Sequence, residues 1–91
     1  MKSANATIVN RLGLHARPSA MLVEEVSRFA AEVWIRRGEL KINAKSIMGV
    51  MMLAAEQGAE LEVITDGPDE EEALAAALRV IASGFGEVDR S

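Results

Sequence analysis

The spacing of apolar positions changes several times along the chain, and each change predicts an element. Residues 4–10 mix β-branched and small side chains and predict a short strand, which Gly13 breaks. Over residues 16–30, Leu22, Val26, Phe29 and Ala30 recur at i, i+4, i+7 and i+8, with Val23 widening the stripe and Glu24, Glu25, Ser27 and Arg28 facing away. That spacing is an amphipathic helix. Pro18 fits only in its first turn, where a missing N–H has no intrahelical partner to lose, so the helix begins close to His15 or Ala16.

Glu32–Arg37 alternates, Val33 and Ile35 against Trp34 and Arg36, and after Gly38 residues 39–43 alternate again through Leu40 and Ile42. Two strands around one glycine predict a hairpin. Ser46 precedes an apolar run over 47–55 that predicts a short helix, ended by Gly58. Glu60–Asp66 places Leu61, Val63 and Thr65 on one face of a strand closed by the turn residues Asp66, Gly67 and Pro68. A last helix over 68–83 carries Leu74, Ala77, Leu78 and Ile81, with acids at 69–72 in its first turn and Gly84 past its end. The order is β-α-β-β-α-β-α. Half-polar strands predict a sheet with one face under helices and the other in water, an α+β fold of two layers. Residues 87–91 are expected to be loosely tied.

Composition narrows the function more than the fold. With 91 residues, one core and one domain over 1–91 are expected. Ten bases against fourteen acids give a net charge of −4, which disfavours nucleic acid and anionic membrane surfaces as partners. No cysteine and a single histidine exclude disulfides, thiolate metal sites and multi-histidine metal centres, so neither metal nor cofactor is expected. No run is long enough to span a bilayer and no export signal opens the chain, so a cytoplasmic location is expected.

The one imidazole, His15, falls between the end of a strand and the first turn of a helix. Unpaired N–H groups and the positive end of the helix dipole favour an anion there, and a neutral imidazole is a nucleophile. Arg17 at the same end is electrostatically unfavourable unless an anion visits, and its planar fork suits phosphate oxygens. With no second histidine, no cysteine and no Gly-rich phosphate loop, a group carrier fits better than an enzyme with turnover. Two other readings stay open: a regulatory module that works by docking, and an enzyme using His15 as general base, which would need a polar pocket.

Asn10-Arg11-Leu12-Gly13-Leu14-His15-Ala16-Arg17-Pro18 resembles the active-site signature of the phosphocarrier protein HPr family of the bacterial phosphoenolpyruvate-dependent phosphotransferase system. Lys45-Ser46-Ile47-Met48-Gly49-Val50 resembles that family's regulatory serine segment. The resemblance implies an antiparallel four-stranded sheet in the order 1-4-2-3 with three helices on one face. It also implies that His15 takes a phosphoryl group at Nδ1 from phosphorylated enzyme I and passes it to an enzyme IIA-type protein, with Arg17 neutralising the phosphoryl oxygens. An HPr kinase/phosphorylase acting on Ser46 is implied as well, hindering enzyme I docking. Ser46 is expected to cap its helix in either case. A monomer is expected.

Met48, Met51 and Met52 crowd one short helix with Ile47, Val50 and Leu53, so some must reach the surface; Leu14, Ala20 and Met21 are expected to extend that docking patch beside His15. Asp69 to Glu72 read as helix-start charges, Trp34 as an exposed aromatic without a task, and Arg36-Arg37 as a solvated hairpin edge. Ala16 stands where several family members carry Thr. Leu12, with the segments at 70–76 and 83–85, resembles nitrogen-branch members (NPr), whereas Lys45 to Val50 resembles the sugar branch.

Overall fold

The computed structural model describes residues 1–87. Its elements are β1 (Lys2–Thr7), α1 (Ala16–Val26), β2 (Glu32–Arg37), β3 (Leu40–Asn43), α2 (Ile47–Met52), β4 (Glu60–Asp66) and α3 (Glu70–Ala82), followed by a tight 3-10 turn at Gly84–Gly86. The four strands form one antiparallel sheet in the order β1-β4-β2-β3. Register makes the two layers: Ala4 faces Val63 and Val63 faces Ile35, whereas Asn5, Glu62, Arg36 and Lys41 line up across the other face. Val33, Ile35, Ile42, Leu61 and Val63 share a buried core with Leu22 and Val26 of α1, Val50 of α2, and Ala73, Ala77 and Ile81 of α3. The helices therefore lie on one face, as the half-polar strands predict.

Element ends differ from the sequence pattern where other groups take over backbone bonds. β1 stops at Thr7 rather than residue 10, because Ile8 leaves the sheet edge and exchanges bonds with the segment before β4: Gly58 N–H donates to Ile8 C=O at 2.7 Å and Ile8 N–H to Ala59 C=O at 2.9 Å. α1 stops at Val26 rather than residue 30; Phe29 N–H bonds Val26 C=O at 3.2 Å, and Lys45 Nζ donates to Phe29 C=O at 2.7 Å. The freed Ala30 and Ala31 N–H groups both donate to the Asp69 carboxylate, at 2.9 and 2.8 Å. Asp69 is thus more than a helix-start charge: it makes no side-chain cap on α3 and instead ties the α1–β2 connection to it.

α2 ends at Met52, well before Gly58, because Ala54 turns to φ +48°. Arg37 Nη1 donates to the carbonyls of Leu53 and Ala54 at 3.2 and 3.0 Å, satisfying groups the helix end leaves unpaired. Arg36 lies against the Glu62 carboxylate. The Arg36-Arg37 pair is therefore bonded structure rather than a solvated edge. Trp34 is half-buried beneath Lys41, whose ammonium sits 4.8 Å from the ring centroid.

Candidate functional site

Residues 10–15 form a loop closed by its own backbone. Gly13 N–H bonds Asn10 C=O at 3.2 Å, and Leu14 N–H bonds Ala55 C=O at 2.9 Å, pinning the loop to the segment after α2. Gly13 adopts φ +69°, and a Cβ there would lie 2.2 Å from the Ala55 oxygen. Only glycine allows both the left-handed turn and this approach. Leu14, 5% exposed, plugs the core below the loop, so it is not part of a docking surface as expected from sequence. An apolar residue next to the histidine serves here as an anchor, because Leu14 points into the core while Leu12, the loop's other large apolar side chain, stays exposed.

His15 is the N-cap of α1, with extended backbone (φ −78°, ψ −172°) and no side-chain cap bond. Its carbonyl accepts the first intrahelical bond, from Ser19 N–H at 3.0 Å. Among the described residues neither the Ala16 nor the Arg17 amide donates a hydrogen bond, and Pro18, next in line, has no amide hydrogen. Two N–H groups are left unspent beside the imidazole. The ring is 37% exposed, open enough for another protein to reach. Arg17 is exposed and, among the described residues, has no hydrogen-bond or ion-pair partner.

The remaining contact to the ring comes from the far end of the chain. His15 Nε2 lies 2.8 Å from Glu87 Oε2, and the other carboxylate oxygen accepts from Asn10 Nδ2 at 2.9 Å. The same Asn10 amide donates to Gly13 C=O at 2.8 Å, while its buried Oδ1 has no partner among the described residues. The Asn10 bond, aided by His15 and by the charge of Arg17, holds the Glu87 carboxyl below the usual glutamate range against a partial loss of water.

Glu87 arrives there because Gly84, Phe85 and Gly86 take φ of +68°, +59° and +72° in succession and reverse the chain after α3. Phe85, 2% exposed, pins the turn into the core. A left-handed conformation costs a bulky residue about 1–2 kcal/mol, which its burial offsets. Glu87 is therefore held rather than loosely tied; the rest of that expectation, residues 88–91, lies outside the described residues. Asn10 and Glu87 are the site residues that reading the sequence missed. The available signal was an aromatic residue between two glycines just past a helix, a mark of anchoring rather than fraying.

Of the other residues expected in a docking patch, Met21, Ile47, Met48 and Met51 are exposed, Met48 at 76%, and Ala20 is half-buried. Leu12 and Met52 are exposed as well. Ser46 caps α2 as expected, its Oγ accepting from Gly49 N–H at 3.1 Å. Among the described residues no helix is long and apolar enough to cross a membrane.

The site is thus one accessible histidine at the start of α1, on a two-layer fold of three helices over a four-stranded antiparallel sheet. The family model described as the PTS HPr component phosphorylation site matches residues 2–83. The chain is 51% identical to the phosphocarrier protein HPr of Cupriavidus necator over 87 residues, 96% of this chain and 98% of that protein. It is 44% identical to the phosphocarrier protein NPr of Escherichia coli, over 88% of this chain and 90% of NPr. Among solved structures, HPr-C-His from Thermoanaerobacter tengcongensis is similar at a TM-score of 0.94 and 44% identity, covering 98% of this chain and 100% of that one. The chain belongs to the HPr family, the phosphocarrier proteins of the phosphotransferase system.

Proposed function

We propose that His15 is the phosphoryl acceptor of this carrier, taking the group at Nδ1 from phosphorylated enzyme I and passing it to a histidine of an enzyme IIA-type protein. The observation that carries this reading is an accessible imidazole at the start of α1 beside Arg17 and two amides that, among the described residues, donate no hydrogen bond. Phosphoryl oxygens on Nδ1 would gain hydrogen bonds from the Ala16 and Arg17 N–H groups and from the guanidinium. Two amides and one arginine stabilise the phosphorylated ring modestly, which suits a group that must leave again. Transfer needs no metal or cofactor on this chain.

Ala20, Met21, Ile47, Met48 and Met51, with Leu12 and Met52, form the face on which donor and acceptor dock in turn; flexible thioethers suit a surface with more than one partner. Phosphorylation of Ser46 by an HPr kinase/phosphorylase would place a dianion amid that face and hinder enzyme I, while the α2 start tolerates the charge. The protein acts as a one-domain monomer in the cytoplasm. Incubation with enzyme I, magnesium and labelled phosphoenolpyruvate should give an acid-labile, base-stable label that His15→Ala lacks. Label retained in His15→Ala overturns the acceptor; an unlabelled wild type that still binds enzyme IIA would favour a docking module instead.

A further inference from the structure

The ring of His15 has two nitrogens and the structure treats them differently: Nε2 faces a carboxylate at 2.8 Å, and Nδ1 has no hydrogen-bond partner among the described residues. A carboxylate accepts and cannot donate, so the proton of the neutral ring belongs on Nε2 and the lone pair on Nδ1. Glu87 does not reach this place by chance of a long side chain. Asn10 Nδ2 holds its other oxygen, its own N–H bonds Gly84 C=O at 3.0 Å, and three successive left-handed residues around buried Phe85 direct it there. Asn10 itself is fixed on Gly13 of the His15 loop. The two ends of the chain thus build one hydrogen-bonded relay, Gly13, Asn10, Glu87, His15.

We propose that Glu87 is a positioning residue of the transfer site, holding His15 in the tautomer that offers the Nδ1 lone pair and balancing the charge that grows on the ring as phosphorus bonds to it. The inference rests on His15 being the phosphoryl acceptor. In the step itself the Nδ1 lone pair forms the N–P bond, the donor's bond to phosphorus breaks, and its electron pair returns to the donor. Nε2 keeps its proton throughout, so the ring passes from neutral to positively charged while the phosphoryl group carries the compensating negative charge at the opposite nitrogen. Glu87 meets the positive nitrogen and the α1 amides with Arg17 meet the phosphoryl oxygens, an arrangement that separates the two charges across the ring. Reversal on the acceptor restores the neutral ring with its proton unmoved, so no exchange with solvent is required in either direction.

The test uses the full chain labelled with 15N-histidine. Ring-nitrogen shifts in the unphosphorylated wild type should report the Nε2–H tautomer, and Glu87→Ala should shift the population toward Nδ1–H and slow phosphoryl uptake from enzyme I about fivefold to tenfold. Glu87→Gln separates the two roles: its carbonyl can still accept from Nε2–H but carries no charge, so the tautomer should persist while uptake slows about threefold. A purely structural Glu87 would move neither readout apart from stability, followed in parallel by urea unfolding. Unchanged ring shifts or an unchanged uptake rate in Glu87→Ala overturns the proposal. A wild type that takes up no label overturns the carrier reading instead, and the tautomer measurement still decides the role of Glu87.

Discussion

α1 and α3 begin in opposite electrostatic company. The first turn of α3 carries Glu70, Glu71 and Glu72 and its last turn carries Arg79, which is what the helix dipole favours at each end. Glu70 also accepts from Gly67 N–H at 3.0 Å and from the amino terminus at 3.1 Å, so that helix start is compensated several times over. α1 has no acid in its first turn and no base in its last; it starts with His15 and Arg17 instead. An acid at a helix start contributes about 0.3–1 kcal/mol, and α1 forgoes it while adding a cation in the wrong place. Helix stability explains α3 completely. The start of α1 is not what helix stability favours, and the carboxylate beside it, Glu87, faces the imidazole at 2.8 Å.

The strongest way to break this contrast is to give α1 the start that α3 has. Arg17→Glu should lower phosphoryl uptake from enzyme I by about 10²–10³-fold, the range for removing one preorganised charge-stabilising group. The same variant should unfold at higher urea, by about 0.3–1 kcal/mol. Loss of transfer with gain of stability is the expected pairing, measured on one preparation. Uptake at the wild-type rate would show that the helix start has no part in receiving the group.

A second experiment tests whether the α1 start depends on its loop. Gly13→Ala forces a left-handed alanine and drives its Cβ to 2.2 Å from Ala55 oxygen, so it should destabilise the protein by about 2–4 kcal/mol in urea unfolding. Gly38 and Gly58 also have positive φ, but a Cβ on either would meet nothing within 4 Å, so alanine there should cost only about 1 kcal/mol. Equal losses at all three would mean that the close approach to Ala55 is not what holds the loop.

The contrast between the two helix starts was partly visible in the chain itself. Acids at 69–72, Arg17 beside His15 and Pro18 in a first turn are local facts, and alternation over Glu32–Arg37 and Glu60–Asp66 marked the buried faces of the strands correctly. What stayed hidden was every bond between distant segments. Asp69 reaching Ala30 and Ala31, Arg37 closing α2, and Glu87 meeting Asn10 and His15 join residues 16 to 77 positions apart. Periodicity reports which side of an element is buried, not where a polar side chain ends its reach. Leu14 shows the converse: its apolar character was plain, but whether it faced a partner or the core depended on the Leu14 to Ala55 bond.

Ser46 sharpens the comparison with a third helix start, one closed by its own hydroxyl. Ser46→Ala should cost about 0.5–2 kcal/mol in urea unfolding and leave uptake at His15 intact. Ser46→Asp can still cap α2 and should keep the stability, yet slow uptake by adding charge to the docking face. Uptake from enzyme I at the original rate in Ser46→Asp would detach the serine from regulation of the carrier.

The smallest effect is expected at α3, where the compensation can be read from acid unfolding. Ala30 N–H, then Ala31 N–H and the charge of Lys45, hold the Asp69 carboxyl below its ordinary value in spite of partial desolvation. A carboxyl lowered by folding adds stability that is complete above its unfolded value, about 3.9, and is lost as pH falls through the lower folded value. Wild type should therefore lose stability as pH drops below about 4, and Asp69→Asn should lose less over the same interval. The slope should shrink rather than vanish, because Glu70, Glu56 and Glu87 are lowered too, each by its own hydrogen bonds. Glu87→Gln supplies the matching measurement beside α1: it should also reduce the acid slope, and unlike Asp69→Asn it should slow phosphoryl uptake. Two carboxylates both lowered by folding but only one tied to transfer would separate the helix start built for stability from the one built to receive a charge.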